Sequence, residues 1–507
     1  MPVGDQRGLH RRAGRRARSS AVALLVVAVL FGGGAVVAWR GGLLAGGGTG
    51  QVTAAGTAPV TAVGVPPPIG LHLPPARAAG PVLTAPHGPS PDAAAVRARL
   101  AALVNTPRLG RTVGVSVYDL THDRPVLTMG DPRAYQPAST LKLLTCAATL
   151  EALGPGHRFT TSVALTPAAH RPPTVVLVGG GDPLLARRPP ARKARGYPRV
   201  ATLSALGRQT VRGLRAAGLS RVRVGYDDSL FVGPAVSPSW EPSYASDGVV
   251  TPISALWVNE GVSPATGSRA ADPAAAAAGQ LARALRGRGL HVVGSPRRTL
   301  TATERGLTSL GAVHSPPLDE VVSYVLTYSD NEGAEVLLRQ LAIATDHPAS
   351  FRGGVAAMRS QLTSLGVDLH GIDVHDGSGL SRHDRVPLSA LLSALRLGAD
   401  PGRPELRTLV TGLPVAGFDG TLLRRFTAPA AAPALGVVRA KTGTLTGVQA
   451  LAGLLVDRDG VELAFAAVAN GVEVGNTLFA RAQLDAVAAA LAGCGCSSRV
   501  PAPGGSG

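Results

Sequence analysis

A serine and a lysine stand three residues apart in the segment Ser139-Thr140-Leu141-Lys142, whose surroundings predict a helix over residues 139–153. Residues i and i+3 share one face of a helix, so the Lys142 amine can lie beside the Ser139 hydroxyl. A serine at a helix N-terminus also meets free backbone N–H groups that stabilise developing negative charge. The pattern indicates either a nucleophilic serine with an amine as its base, or a simple N-capping serine.

Lysine is scarce in this chain, which makes each position that keeps one informative. Arginine supplies all but three of the 50 basic side chains, and the lysines are Lys142, Lys193 and Lys441. A guanidinium group effectively never loses its proton in proteins, whereas an amine can. Retained lysines therefore indicate a need for an amine, although codon bias alone would also leave a few.

Two further segments carry hydroxyl, amide and amine groups. One follows a helix-like run over residues 321–328 and the other opens a strand-like run. These segments are Ser329-Asp330-Asn331 and Lys441-Thr442-Gly443-Thr444. With the first segment they form, in order, the S-x-x-K, S-x-N and K-T-G set of class A β-lactamases and penicillin-binding proteins. Two of the three lysines occupy the two lysine positions of that set, which codon bias does not explain.

The distance between the first two motifs distinguishes members of this superfamily. Ser329 lies 190 residues after Ser139, which leaves room for an inserted domain of roughly 130 residues. With this insertion, residues 90–497 resemble the penicillin-binding D-alanyl-D-alanine carboxypeptidases of the S13 peptidase family, a low-molecular-mass class C type that also act as endopeptidases. The other matching stretches are Leu177–Pro183, Asp376–Arg382, Leu413–Thr421 and Arg439–Thr446.

The resemblance implies an α/β fold of the serine β-lactamase and penicillin-binding transpeptidase type, in which helices flank an antiparallel sheet. Residues 89–165 and 301–497 would form this catalytic domain, and residues 166–300 would form an inserted accessory region. No cofactor and no metal ion is implied. The expected partners are peptidoglycan stem peptides and, as covalent inhibitors, β-lactams, while the oligomeric state is left open.

The resemblance also implies a role for each motif side chain. Ser139 would be the acylated nucleophile and Lys142 the general base, its pKa lowered by partial burial and by nearby cations such as Lys441. Ser329 would relay a proton to the leaving amine, and Asn331 would hold the peptide amide of the substrate.

The third motif would bind the terminus of the substrate. Thr442, Gly443 and Thr444 are the expected substrate-binding residues, with the two threonine hydroxyls on the terminal carboxylate. The backbone N–H groups of Ser139 and Thr444 would form an oxyanion hole, in which each donor is worth on the order of 3 kcal/mol.

The N-terminal residues have the pattern of an exported protein. Residues 1–20 form a basic head, and the nineteen apolar residues 21–39 reach roughly the 30 Å thickness of a bilayer core. They predict either a retained transmembrane anchor or a cleaved signal. Residues 40–88 are predicted to be a disordered linker and residues 498–507 a disordered tail. The body is expected on the extracytoplasmic face of a bacterial plasma membrane or secreted to the cell wall.

The net charge of +18 suggests a nucleic-acid binder at first sight, but its distribution argues against one. Six arginines against one aspartate put +5 of it in residues 1–20, and the other +13 is spread thinly along the chain. Neither zinc-finger spacing nor basic-aromatic interleaving follows. The arginine-rich residues 186–199 are interpreted as a solvated loop or as a contact with an anionic wall polymer.

A group of two histidines and two aspartates lacks the H-E-x-x-H spacing of a metal site, so structural or solvent roles are expected for it. Its members are His375, Asp376, His383 and Asp384.

Two other functions remain open on the sequence. A β-lactamase would hydrolyse its acyl-enzyme quickly, but no E-x-x-L-N segment between Ser329 and Lys441 offers a carboxylate for that step. A membrane-anchored β-lactam sensor or wall-binding protein would tolerate a degraded catalytic centre, whereas every motif residue here is intact.

Ser139→Ala is expected to abolish both D-Ala-D-Ala turnover and covalent penicillin labelling, because it removes the nucleophile and only one oxygen atom. Intact mass after penicillin treatment measures the labelling, and an unchanged melting temperature shows that the fold is kept. Labelling that survives the substitution would contradict the assignment of Ser139.

Overall fold

The computed structural model describes residues 86–130, 133–167, 172–189, 198–263, 266–301 and 306–497. The predicted basic head, apolar segment 21–39 and tail 498–507 lie outside the described residues, as does the linker up to residue 85. Within the described ranges, every helix falls short of the length and apolar character that a membrane crossing requires.

The first sheet consists of strands β1 (Thr112–Asp119), β2 (Arg124–Gly130), β9 (Arg439–Leu445), β10 (Val448–Val456) and β11 (Glu462–Asn470). It is antiparallel throughout, with the strand order β2-β1-β11-β10-β9. The central strand β11 is buried on both faces, with Phe465 packed in one hydrophobic cluster and Ala466 in the other. Such a strand reads as a continuous apolar run rather than as an alternating pattern.

Helices cover both faces of this sheet. One face packs against α1 (Ala93–Val104) and α10 (Thr477–Ala492). The other face packs against a larger helical layer. The helices of that layer are α2 (Lys142–Leu153), α5 (Leu318–Tyr328), α6 (Asn331–Ala344), α7 (Phe351–Ser364), α8 (Leu388–Ala399) and α9 (Thr408–Thr411).

Helix α2 lies inside the helical layer rather than on its surface. All residues from Lys142 to Leu150 are buried, so the helix has no solvent face over more than two turns. A helix that is apolar almost all round is stable only when it is enclosed by other elements. This enclosure carries Lys142 at its first position into the protein interior.

A second sheet consists of strands β3 (Thr160–Leu165), β4 (Thr174–Val178), β5 (Arg221–Asp227), β6 (His291–Val292), β7 (Arg297–Arg298) and β8 (Thr308–His314). It is mixed, with the strand order β6-β5-β4-β3-β8, and β7 also pairs with β5. Helices α3 (Leu203–Ala216) and α4 (Pro273–Arg286) share its hydrophobic cluster.

Helix α1 begins after Asp92, whose side chain accepts a hydrogen bond from the Ala95 N–H as its N-cap.

The second sheet extends beyond the predicted accessory region. The domain bounds at 166 and 300 stay a prediction, but β3 and β8 belong to the second sheet although they lie outside those bounds. Their pairing with each other joins residues about 150 positions apart, which no local pattern reveals.

The cysteine states are also defined in the described part. Cys494 and Cys496 form a disulfide. Cys146 is free and buried in α2.

Deleting residues 1–88 is expected to leave a soluble and penicillin-reactive protein, because residues just after that point anchor the N-terminal end of the body. Pro91 bridges to Ser497, and the Asp92 N–H donates to the Cys496 carbonyl at 2.8 Å. Melting temperature and penicillin labelling measure the outcome, with a form that starts at Gly41 as the control. An insoluble or unreactive deletion beside a working control would contradict the prediction.

Candidate active site

Ser139 lies in a tight turn that leads into α2. Residues Ala138–Leu141 form a 3₁₀ turn, and Lys142 continues directly as the α-helix. The turn packs closely against Gly379, where a Cβ atom would come within 1.9 Å of the Ala138 carbonyl oxygen. Gly379 also has a φ of +80°, so glycine is required there on both counts. The predicted nucleophile therefore lies at a junction between the α2 turn and the 376–379 turn.

The Lys142 amine is fully buried and has three oxygen neighbours. Its Nζ lies 2.9 Å from Ser139 Oγ, 2.8 Å from Asn331 Oδ1 and 2.7 Å from the Ser378 carbonyl oxygen. The first contact is the i, i+3 pair that the sequence predicted. The Ser378 carbonyl was not identified from the sequence, although Ser378 lies within the matching stretch Asp376–Arg382.

The junction between α5 and α6 brings the second motif to both lysines. Ser329 adopts a left-handed conformation with φ 60° and ψ 36° as the C-cap of α5, and Asn331 starts α6 two residues later. This sharp reversal directs the two side chains to different amines. Ser329 Oγ lies 2.8 Å from Lys441 Nζ, while Asn331 Oδ1 contacts Lys142.

Strand β9 carries the third motif along the edge of the first sheet. The buried Lys441 amine also donates to the Thr442 carbonyl oxygen at 2.8 Å. The Thr444 hydroxyl lies 3.3 Å from Gln449 Oε1. A Cβ atom at Gly443 would lie 2.7 Å from the Pro137 carbonyl oxygen, so glycine lets β9 approach the nucleophile turn. All three motifs therefore meet at one place.

Burial controls the protonation of both amines. It lowers the pKa of Lys142 from 10.5 to about 8, although the negative charges of Asp376, Asp330 and Glu335 raise it. Burial also lowers the pKa of Lys441 well below its ordinary value, and the Lys142 charge lowers it further. The sequence predicted that Lys441, as a nearby cation, would help to lower the pKa of Lys142. In the structure burial is the main cause for both amines, and the carboxyl groups near Lys142 act in the opposite direction.

Three carboxyl groups form a cluster near the start of α6. Oxygen atoms of Glu260, Asp330 and Glu332 lie within 4.8 Å of one another, and this is the group among the described residues that is compact enough to share a cation. Arg269 forms a salt bridge with Glu332 and so offsets part of the charge. Burial and the neighbouring Glu332 raise the pKa of Asp330 to about 7.

The four histidine and aspartate residues considered as metal ligands make structural contacts instead. Asp376 and Asp384 are fully buried, and Asp376 accepts hydrogen bonds from the Trp240 indole N–H and from backbone N–H groups of its own turn. The rings of His375 and His383 pack edge to face with centroids 5.9 Å apart. The Asp376 hydrogen bonds hold the backbone of the turn whose Ser378 carbonyl oxygen contacts Lys142.

Acylation of Ser139 by penicillin is expected to speed up as the pH rises from 6 towards 9. The base must be the neutral amine, and below a pKa of about 8 the neutral fraction of Lys142 falls about tenfold for each pH unit. Lys142→Arg is the control, because guanidinium cannot accept the proton, and it should acylate at less than about a tenth of the wild-type rate. A flat pH profile, or a reactive arginine variant, would contradict the assignment of the base.

Comparisons with known proteins agree with the motifs. Residues 96–269 and 263–491 match the D-Ala-D-Ala carboxypeptidase 3 (S13) family. A carboxypeptidase of Mycobacterium tuberculosis is 36% identical over 427 residues, which cover 83% of this chain and 88% of that protein. Carboxypeptidase DacB of Mycolicibacterium smegmatis is 36% identical over 414 residues, or 81% and 86% of the two chains.

The fold agrees as well. The crystal structure of penicillin binding protein 4 from Haemophilus influenzae superimposes with a TM-score of 0.62 at 22% identity, covering 78% of this chain and 97% of that one. The resemblance inferred from the motifs is confirmed: this chain belongs to the D-Ala-D-Ala carboxypeptidase 3 (S13) family.

Proposed function

We propose that this chain cleaves the D-Ala-D-Ala bond of peptidoglycan stem peptides through an acyl-enzyme on Ser139. The observation that carries the proposal is the 2.9 Å contact between Lys142 Nζ and Ser139 Oγ, made by an amine whose burial favours its neutral form. The S13 family and the two carboxypeptidase relatives support the same class of reaction.

Acylation uses both lysines. Lys142 takes the Ser139 proton while Oγ attacks the carbonyl carbon of the penultimate D-alanine. The backbone N–H groups of Ser139 and Thr444 are proposed to stabilise the oxyanion. As the C–N bond breaks, the leaving amine receives the Ser329 hydroxyl proton, and the Lys441 ammonium restores it across their 2.8 Å contact.

Deacylation reverses the proton movements. Water attacks the ester carbonyl carbon and its proton passes through Ser329 to the neutral Lys441, while the Lys142 ammonium returns a proton to Ser139 Oγ as the ester bond breaks. Both amines are then back in their starting states, and one water molecule has been consumed. A β-lactam would follow the acylation step, with its ring nitrogen as the leaving group.

Binding of the substrate is assigned to the third motif and Asn331. The terminal carboxylate would lie between the hydroxyls of Thr442 and Thr444, close to Lys441, and its negative charge would favour the ammonium form of that lysine. Gly443 would let the peptide backbone approach β9, and Asn331 would hold the peptide amide.

The cell-wall substrate fits an exported protein. We therefore propose that the body acts outside the cytoplasm, and that residues 21–39 serve as an anchor or signal. The second sheet is proposed as the core of the inserted accessory region. High-salt washing of membranes from cells that make the full chain tests the anchor, because a transmembrane helix resists extraction.

Intact mass followed over time after brief penicillin treatment, combined with D-alanine release from a D-Ala-D-Ala peptide, tests the function. We expect one adduct on Ser139 that persists, together with peptide turnover. Rapid loss of the adduct without peptide turnover would indicate a β-lactamase instead. A stable adduct without turnover would indicate a sensor or wall-binding protein.

A further inference from the structure

Glu335 is a fully buried carboxyl group one turn after Asn331 on α6. Residues i and i+4 share a helix face, so both side chains point towards the Lys142 side of α6. Asn331 contacts the Lys142 amine directly. Glu335 contacts the turn that supplies the other fixed neighbour of that amine, the Ser378 carbonyl.

Both carboxyl oxygens of Glu335 are used by this turn. Oε1 accepts the Ser378 N–H at 2.8 Å and the Gly377 N–H at 3.1 Å, and Oε2 also lies 3.1 Å from the Gly377 nitrogen. The turn packs tightly on α6, since a Cβ atom at Gly377 would lie 2.9 Å from the Ala334 carbonyl oxygen. The position of the Ser378 carbonyl therefore depends on this side chain.

Helix α2 holds the same turn from the other side. The Thr145 hydroxyl donates to the Gly377 carbonyl oxygen at 2.7 Å and is fully buried. Thr145 lies three residues after Lys142, so it shares a helix face with the amine whose neighbour it helps to fix. The turn is thus clamped between Glu335 and Thr145.

The clamp matters because of what a neutral amine can do. Neutral Lys142 has two N–H hydrogens and one lone pair, and its neighbours are the Asn331 amide oxygen, the Ser378 carbonyl oxygen and the Ser139 hydroxyl. The first two can only accept hydrogen bonds. They occupy both N–H hydrogens, so the lone pair is left facing the one neighbour that has a proton to give.

We propose that Glu335, together with Thr145, is a positioning residue that directs the Lys142 lone pair at Ser139 by holding the Ser378 carbonyl in place. The inference rests on the proposed function, in which Lys142 is the base. Glutamine keeps the size of Glu335 but not its three contacts, because its NH2 group would stand where Oε2 now accepts from the Gly377 N–H.

The test is acylation of the full chain by benzylpenicillin, with the limiting rate and the half-saturating concentration measured per titrated active site. Glu335→Gln is expected to lower the limiting rate about tenfold and to change the half-saturating concentration less than about twofold, because a misdirected base slows the chemical step without touching the ligand. A purely structural role would lower the number of titratable sites and leave the rate at each site unchanged.

A second pair of variants provides a matched control. Thr145→Val removes the hydroxyl that holds the turn, whereas Thr149→Val removes an equally buried hydroxyl of α2 that donates only to the Thr145 carbonyl oxygen of its own helix. We expect a slower limiting rate for Thr145→Val alone. In the double variant with Glu335→Gln, the loss should be smaller than the product of the single losses, because both residues hold one turn.

Each outcome decides the inference. A limiting rate for Glu335→Gln within about twofold of the wild type would overturn it, as would losses that multiply in the double variant. If Glu335→Gln does not fold, equal rates for Thr145→Val and Thr149→Val would overturn it instead. Failure of the wild type to acylate at Ser139 would overturn the proposed function itself, which separates the two failures.

Discussion

Two amines buried in the protein interior set the requirement that the rest of the structure meets. Lys142 and Lys441 have no exposed surface, and a polar group removed from water is costly unless it is hydrogen-bonded. Lys142 finds its partners on its own turn, on α6 and on the 376–379 turn. Lys441 finds its partners at the junction of α5 and α6 and on its own strand. The packing of these segments around α2 therefore also builds the reactive centre.

Close approach of backbone segments makes this convergence possible. Gly379 lets the 376–379 turn contact the Ala138 carbonyl, and Gly443 does the same for β9 beside Pro137. Any larger side chain at these two positions would hold the segments apart. The charge pattern follows from the same packing, because the carboxyl groups of Asp330, Glu335 and Asp376 are gathered on the Lys142 side. The two lysines of the motif set therefore lie in different electrostatic surroundings.

The sequence indicated the site well where chemistry is carried by side-chain type. Ser139 and Lys142 meet as their spacing predicts. The Ser378 carbonyl and Glu335 were missed, since a backbone oxygen has no residue signature and a lone glutamate in a helix reads as an ordinary polar residue. The carboxyl groups that raise the pKa of Lys142 were also missed, because their placement depends on tertiary packing.

The partners of Lys142 lie far from it along the chain, Asn331 by 189 positions and Ser378 by 236. Contacts of such long range slow folding, because the loop-closure entropy must be paid before the contacts form. A growing chain that has not yet reached Lys441 lacks part of the centre altogether. Covalent capture of a β-lactam would therefore report that the fold is complete, and newly made protein should remain insensitive to the drug until its last long-range contacts have closed.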